Sequence, residues 1–271
     1  MPNVYSAKML IPHQRPLREG RFLQRFDRFI ATVELDGAVV EAHCVNPGRM
    51  EGLVRPGCRA WISGVPKESK RKLRYTLELL EIDGVFIGAN TIVPNRIAEA
   101  AIRAGLVPGL KRFRELRREV RYGEKSRIDL LMTQGKKEHL IEIKNCHLVY
   151  PDGGAYFPDS VSDRAAGHLH ELAREVAAGR KATVLFVLQH EGGEFLRPSR
   201  LHDPAFADAA AYAAEAGVRF QAMKIAPRPD GFHVLGTVPV DLRPYEYSAL
   251  ESYREALKAH SGWQRRGRKK E

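Results

Sequence analysis

Three charged residues sit where a buried strand would be expected to be apolar. Asp129 lies in RIDLLM (127–132), and Glu142 and Lys144 lie in HLIEIKNCHL (139–148). Residues two apart on a strand point to the same face, so Glu142 and Lys144 share one. Burying an unpaired charge costs roughly several kcal/mol even after relaxation, so the placement needs a reason. If the two runs pair as neighbouring strands, Asp129 and Glu142 approach each other. Two carboxylates brought together repel unless they share a cation. A hard divalent ion with oxygen ligands, Mg²⁺ (or Mn²⁺), would resolve the repulsion using one or two protein carboxylates. Lys144 beside them would orient a water or stabilise charge on a phosphate. That is the logic of metal-assisted phosphodiester hydrolysis. The competing reading is a half-exposed strand whose Glu142 and Lys144 are simply solvated.

The elements that must position this trio follow from local pattern. RFIATVEL (28–35) and AVVEAHCV (38–45) flank Asp36-Gly37, and YTLELLEI (75–82) and VFIGAN (85–90) flank Asp83-Gly84. Asp-Gly between alternating runs predicts a hairpin, because both central residues take positive φ. A further short strand is expected at 59–63. Five short strands within residues 1–90 suggest a small antiparallel barrel of OB type. From 91 to 240 the pattern changes to helices and strands in alternation, an α/β layer with a mixed sheet. Pro94 would open a helix that Gly105 stops, and LKRFRELRREV (110–120) reads as a second, basic helix. SDRAAGHLHELAREVAAG (162–179) is amphipathic, with Ala165, Leu169, Leu172, Ala173 and Val176 on one face. ATVLFVLQH (182–190) reads as a strand covered on both faces, and Asp203-Pro204 opens an alanine-rich helix. Residues 241–271 form a C-terminal segment ending in WQRRGRKKE, with Arg265, Arg266, Arg268, Lys269 and Lys270.

The net charge of +11 over 271 residues and a pI near 9.7 favour an anionic partner. Cys44, Cys58 and Cys146 are far apart, which argues against a zinc ribbon or a disulfide framework and fits a reducing compartment. No stretch approaches the length of a membrane span and the N-terminus lacks a signal-like apolar region, so a cytoplasmic, soluble protein is expected. The sequence leaves room for a homodimer.

The Asp129, Glu142, Lys144 pattern resembles the PD-(D/E)xK nuclease core. More specifically, the chain resembles the sugar fermentation stimulation protein A family over about residues 10 to 240. NPGRMEGLVRPG and FPDSVSDRAAGHLHEL carry most of that likeness, with RFLQRFDRFIATVELDG, GANTIVPNRIAEAAI, EVRYGEKSRIDLLM and FLRPSRLHDPAFADAA beside them. One small departure is Asn46-Pro47-Gly48-Arg49, which lacks the family's small polar residue. The resemblance implies an N-terminal OB-like domain, a PD-(D/E)xK nuclease-like domain of mixed sheet, and binding of DNA, with RNA a further candidate. It implies that Asp129 and Glu142 are metal ligands with the Ile143 carbonyl facing the ion, that Lys144 is the water-orienting cation, and that Glu119 is an additional acid. Glu115 competes with Glu119 for that place. The alternative it carries is a non-catalytic DNA-binding regulator of sugar (maltose) metabolism genes.

Several residues are candidates for holding the nucleic acid. On the helix at 162–179, Arg164, His168, Glu171 and Glu175 share a polar face, and Arg164 and His168 would aim at the scissile phosphate. Gln189 would approach from the end of its strand, whereas Asp159 reads as a cap or turn residue. In the barrel, Arg25, Arg28 and Arg49 interleave with Phe22, Phe26 and Phe29, the mixture that lets guanidinium groups meet phosphates while bases stack. The spacing of those phenylalanines also fits a helix packed into a core. Lys111, Arg112 and Arg114 belong to the densest positive run, where phosphate contacts would make binding salt-sensitive.

Overall fold

The computed structural model describes residues 7–123 and 126–266. Its first strand, β1 (Met9–Pro12), is followed by β2 (Leu17–Phe26), β3 (Ile30–Leu35), β4 (Ala38–His43), β5 (Arg59–Gly64), β6 (Tyr75–Ile82) and β7 (Val85–Gly88). Strands β2 to β7 form one six-stranded sheet in the order β4-β3-β2-β5-β6-β7. Both Asp-Gly hairpins are present: Leu35 faces Ala38 and Ile82 faces Val85. Asp36, Gly37, Asp83 and Gly84 all have φ between 51° and 81°, the left-handed pair that a two-residue hairpin turn needs. Strand β4 also pairs in parallel with β6 at Ala42 and His43, bending the sheet round on itself in the OB manner. Phe22, Ala31, Val33, Ile62, Leu77 and Leu80 fill its interior.

The second unit contains α1 (Val93–Arg103), β8 (Glu115–Tyr122), β9 (Ser126–Gln134), β10 (Lys137–Cys146) and β11 (Gly154–Phe157). It continues with α2 (Asp163–Ala177), β12 (Lys181–Leu188), β13 (Phe195–Pro198), α3 (Pro204–Glu215), β14 (Arg219–Arg228) and β15 (Gly231–Val238). A mixed seven-stranded sheet runs β1-β15-β14-β12-β10-β9-β8, with β10, β12 and β14 parallel and the outer strands antiparallel. Central β12 is buried from Ala182 to Leu188, as its apolar sequence requires. One face packs α2 and α3 through Leu169, Leu172, Phe206 and Ala210 against Leu140, Val184 and Phe186. The other packs α1 through Ile97 and Ala101 against Ile141, Ile143, Leu185 and Val187. Trp61 and Leu79 of the barrel join this second layer, so the two units share one core.

Three local readings are corrected. Strand β1, placed by sequence in the 1–90 unit, is the edge of the C-terminal sheet, pairing with β15. Phe22 and Phe26 lie on strand β2, not on a helix. A register shift between Phe22 and Gln24 breaks the alternation that would have marked a strand. The basic run at 110–120 is no helix: Lys111, Arg112 and Arg114 precede β8, and the rest of the run is strand. The apolar face of α2 is as expected: Val176, half-buried, packs on the core beside the buried Ala165, Leu169, Leu172 and Ala173.

After β15 the chain forms α4 (Ser248–Leu257) and then returns to the barrel. There Gln264 bridges Phe26, its N–H donating to Arg25 O at 3.0 Å, while Asp27 N–H donates to Gln264 O at 2.9 Å. Arg268, Lys269 and Lys270 of the basic tail lie outside the described residues. Among the described residues no helix is long and apolar enough to cross a membrane.

Candidate metal centre

Strands β9 and β10 pair from Lys137–Gln134 to Ile141–Leu130, and at the next step the ladder opens. Asp129 fills the gap with its side chain: Oδ2 accepts the Ile143 N–H at 2.7 Å. Its Oδ1 accepts from Asn95 Nδ2 at 2.9 Å, from the first turn of α1. The carboxylate thereby stands beside β10 at the level of Glu142. Glu142 and Lys144 point to the same face, towards α2, and they are not solvated: their side chains are 5% and 12% exposed.

Helix α2 supplies the rest of the setting. Ser162 caps it by accepting the Ala165 N–H at 3.3 Å, and Gly179, at φ 89°, ends it. Asp203, the N-cap of α3, also accepts the Ser162 N–H at 2.8 Å, fixing where α2 begins. One turn on, His168 lies over Glu142. With its proton on Nδ1, the ring donates to Glu142 Oε1 at 2.8 Å, and Lys144 Nζ donates to the same oxygen at 2.7 Å. Among the described residues Glu142 Oε2 is buried and has no hydrogen-bond partner. Tyr122 Oη and Glu171 Oε2 are buried beside it, and burial with the Glu142 and Glu171 carboxylates nearby pushes the Tyr122 phenol up.

The electrostatics separate the two carboxylates. Burial, with the Glu142 charge beside it, pushes Asp129 up to about 6, although Ile143 N–H, Asn95 and Lys144 pull the other way. Burial also opposes the Glu142 charge, but Lys144 and His168 outweigh it and hold this carboxyl below its ordinary value. Neighbouring acids pushed apart in this way, in a cavity, are a candidate functional site.

A cavity of about 590 Å³ opens over the pair, lined by Glu119, Asp129, Glu142, Arg164, His168 and Glu171 among others. Glu119 has φ 50°, a left-handed conformation unusual for a non-glycine residue in a strand. Among the described residues no three His, Cys, Asp or Glu side chains gather closely enough to cage a metal. The donors therefore suit an ion held by two carboxylates and otherwise by backbone, water or substrate oxygens, as Mg²⁺ is commonly held. Glu142 Oε2 would suit that role, with Asp129 as the second carboxylate.

The other candidates separate by position. Arg164 joins the site, with Nε 3.5 Å from His168 Nε2. Arg25 is a correction: it is fully buried, and its guanidinium donates to the carbonyls of Arg28, Asn46, Gly48 and Gly262, so it presents no surface to a phosphate. Arg28 is exposed, its guanidinium 4.9 Å from the Trp263 ring centre. Arg49 lines a separate cavity with Arg254 and Lys258 of the C-terminal segment. Lys111 and Arg112 line another, with His139 and Lys137, at the hairpin end of β9 and β10 away from Asp129. Arg114 is exposed, its N–H bonded to Thr133 O near that same end. Gln189 is tied between Asn145 Oδ1 and Asn90 O at the joint of the two units. Asp159 accepts the Met50 N–H at 3.0 Å, holding the barrel loop to the second unit. Sequence reasoning missed Asn95 and Arg96 on the first turn of α1; the Pro-Asn-Arg opening of that helix was the available signal. It also missed Tyr122, which nothing local marks.

Comparison with known proteins agrees with this architecture. Residues 23–89 match the SfsA N-terminal OB domain, and residues 92–231 match the sugar fermentation stimulation protein RE domain. A sugar fermentation stimulation protein homolog of Allorhizobium ampelinum is 42% identical over 229 residues, covering 84% of this chain and 97% of that one. One from Maricaulis maris is 43% identical over 228 residues, 83% of this chain and 97% of the relative. The solved structure of Pyrococcus furiosus SfsA in complex with Ca²⁺ matches with a TM-score of 0.79 at 28% identity, covering 87% of this chain and 100% of that one. The chain therefore belongs to the sugar fermentation stimulation protein family.

Proposed function

We propose that the protein is a divalent-metal-dependent nuclease that hydrolyses phosphodiester bonds of DNA or RNA at Asp129, Glu142 and Lys144. The observation that carries the reading is Glu142. It is buried beside Asp129, one oxygen is held by Lys144 and His168, and the other has no partner among the described residues. Such a carboxylate is poorly explained as a structural ion pair, because the lone pairs of Oε2 remain unsatisfied. The Ca²⁺ complex of the Pyrococcus furiosus relative supports a hard divalent ion, and Mg²⁺ or Mn²⁺ is the ion expected to turn over.

A bound divalent ion would act as a Lewis acid on a phosphate oxygen and lower the pKa of a coordinated water. Asp129 and Glu142 would hold it, and Glu119 lies on the cavity wall where it can accept from an ordered water. Asn95 and the Ile143 N–H fix the Asp129 carboxyl so that its orientation is set before substrate arrives. His168 fixes Glu142 in the same way. Lys144, anchored on Glu142, presents a cation to the attacking water and to the charge that grows on the phosphate. Arg164, exposed at the cavity rim, meets an adjacent phosphate.

The test compares wild type with Asp129→Ala and Lys144→Ala on single-stranded DNA, duplex DNA and RNA, with Mg²⁺, Mn²⁺ or EDTA. Cleavage by wild type alone, abolished by EDTA, supports the reading. Cleavage surviving both substitutions, or salt-dependent binding with no cleavage under any condition, defeats it and leaves a nucleic-acid-binding regulator.

A further inference from the structure

A larger cleft of about 1060 Å³ lies between the two units and ends at Asp129. One wall is barrel: His43, Arg71, Thr76, Glu78 and Asn90 contribute. The other is the second unit, with Asn95, Arg96, Arg118, Asp129 and Arg164, and the segment joining β1 to β2 supplies His13 and Arg15. Glu119, Asp129 and Arg164 line both this cleft and the smaller cavity over Glu142, so the two spaces are continuous.

Five arginines line the cleft against three acids, Glu78, Glu119 and Asp129, and Glu78 acts on Arg96. Arg118 is paired with Glu99, which is also held by Arg103. Arg15, Arg71, Arg96 and Arg164 form no ion pair among the described residues. Among the described residues three of them donate one side-chain hydrogen bond each, and Arg96 also lies over the Phe232 ring. Arg15 donates to Gly64 O at 3.3 Å, Arg71 to Thr76 Oγ1 at 3.2 Å, and Arg96 to Pro12 O at 3.0 Å. Arg71 belongs to the barrel and Arg164 to α2, so the positive groups are strung along the cleft towards the carboxylates. Ile92, 68% exposed, puts apolar surface on the same wall. An excess of guanidinium groups over carboxylates, with amides and an apolar patch among them, fits a phosphodiester backbone carrying unstacked bases.

Shape decides between one strand and two. The space is at the upper end of the roughly 300–1,000 Å³ of single-ligand pockets, and it is walled on both sides by folded domains. A few nucleotides of one strand fill it. A base-paired duplex carries twice the bulk per step and is the poorer fit to this volume.

We propose that this inter-domain cleft is a binding channel for a single polynucleotide strand, which it leads from the barrel to Asp129. The inference rests on the nuclease reading for what happens at the end of the channel, but the binding itself can be measured without cleavage. Fluorescence anisotropy in EDTA would compare an oligo(dT) and an oligo(rU) of about 15 nucleotides with a blunt hairpin duplex. The full-length wild type would be set against Arg71→Glu, Arg15→Glu and, as a control on the separate hairpin-end cavity, Lys111→Glu. All three positions are exposed, and a melting curve checks that each variant is folded.

The expected result is tighter binding of the strands than of the duplex. Arg71→Glu and Arg15→Glu should each weaken strand binding on the order of tenfold and lower the salt slope by about 0.7 per lost phosphate contact. Lys111→Glu should leave both unchanged. Equal or tighter binding of the duplex, no binding of any strand, or loss confined to Lys111→Glu overturns the inference. The two proposals fail separately. Strand binding lost in Arg71→Glu by a protein that never cuts removes the nuclease reading and keeps the channel. Metal-dependent cutting that prefers duplex and ignores Arg71→Glu removes the channel and keeps the nuclease.

Discussion

Replacing Asp129 with asparagine should make the metal-free protein more stable at neutral and alkaline pH. Asp129 titrates near 6 in the folded chain, against 3.8 as its ordinary value. A folded-state pKa above the unfolded one means that the unfolded chain gives up this proton first. Stability is therefore fully present below pH about 4 and is lost as pH rises through about 6. A shift of about two pKa units corresponds to about 3 kcal/mol. Asparagine carries no charge, and its side-chain carbonyl still accepts the Ile143 N–H, while a rotated Asn95 amide accepts from the new N–H. The Asp129→Asn variant should then equal wild type in stability near pH 4 and exceed it by up to about 3 kcal/mol at pH 8. For a chain of this size that is a rise of about 5 °C in Tm. Thermal melts of both proteins in EDTA between pH 4 and 8 provide the assay, with urea melts to give free energies. Adding a divalent cation at pH 8 should stabilise wild type and close the gap, because a ligand of the folded state raises its stability. A variant less stable than wild type at pH 8, or a difference that does not grow between pH 4 and 6, would refute the reasoning about a stressed carboxylate pair.

Two further substitutions test the frame around the site. Arg25→Ala removes the donor to four backbone carbonyls in a fully buried setting, and should lower stability by about 3 kcal/mol or more in a urea melt. Because that guanidinium faces no solvent, strand affinity per folded molecule should not change in the anisotropy assay. Gly20→Ala should disrupt the barrel, since the added Cβ would stand 2.5 Å from Glu34 O and 2.7 Å from Val33 Cγ1. Two main-chain segments of paired strands cannot yield cheaply, so a loss of at least about 2 kcal/mol is expected.

How far the sequence disclosed this site depends on the range of the interactions. The Asp-Gly hairpins, the capped helix α2 and the shared face of Glu142 and Lys144 follow rules that act within a few residues, and they read directly. Strand β2 was obscured because Phe22, Phe26 and Phe29 fall at helical intervals, and the bulge after Phe22 together with the turn at Asp27 and Arg28 generates that spacing in an extended chain. Strand β8 was obscured because its arginines and glutamates favour helix in isolation, while pairing with β9 decides the matter. Arg25 read as a nucleic-acid contact because an arginine among phenylalanines looks like a stacking platform. Its actual partners include Gly262, 237 positions away, where no local signal reaches. The cleft was invisible for the same reason: Arg15, Arg71, Arg96 and Arg164 come from four separate elements. Burial of Glu142 with one unpartnered oxygen is likewise a tertiary fact, and it is what separates the metal-centre reading from a solvated strand.

The most direct measurement is a crystal structure of the protein grown or soaked with Mn²⁺ at pH 8, with anomalous diffraction to locate the ion. An anomalous peak bridging Asp129 and Glu142, at oxygen distances near 2.1–2.3 Å on the hard-cation scale, is the predicted result. The same crystals at pH 5, where Asp129 holds its proton, should show the peak weakened or absent. Full Mn²⁺ occupancy at another site with none between these two carboxylates at pH 8 would contradict the account.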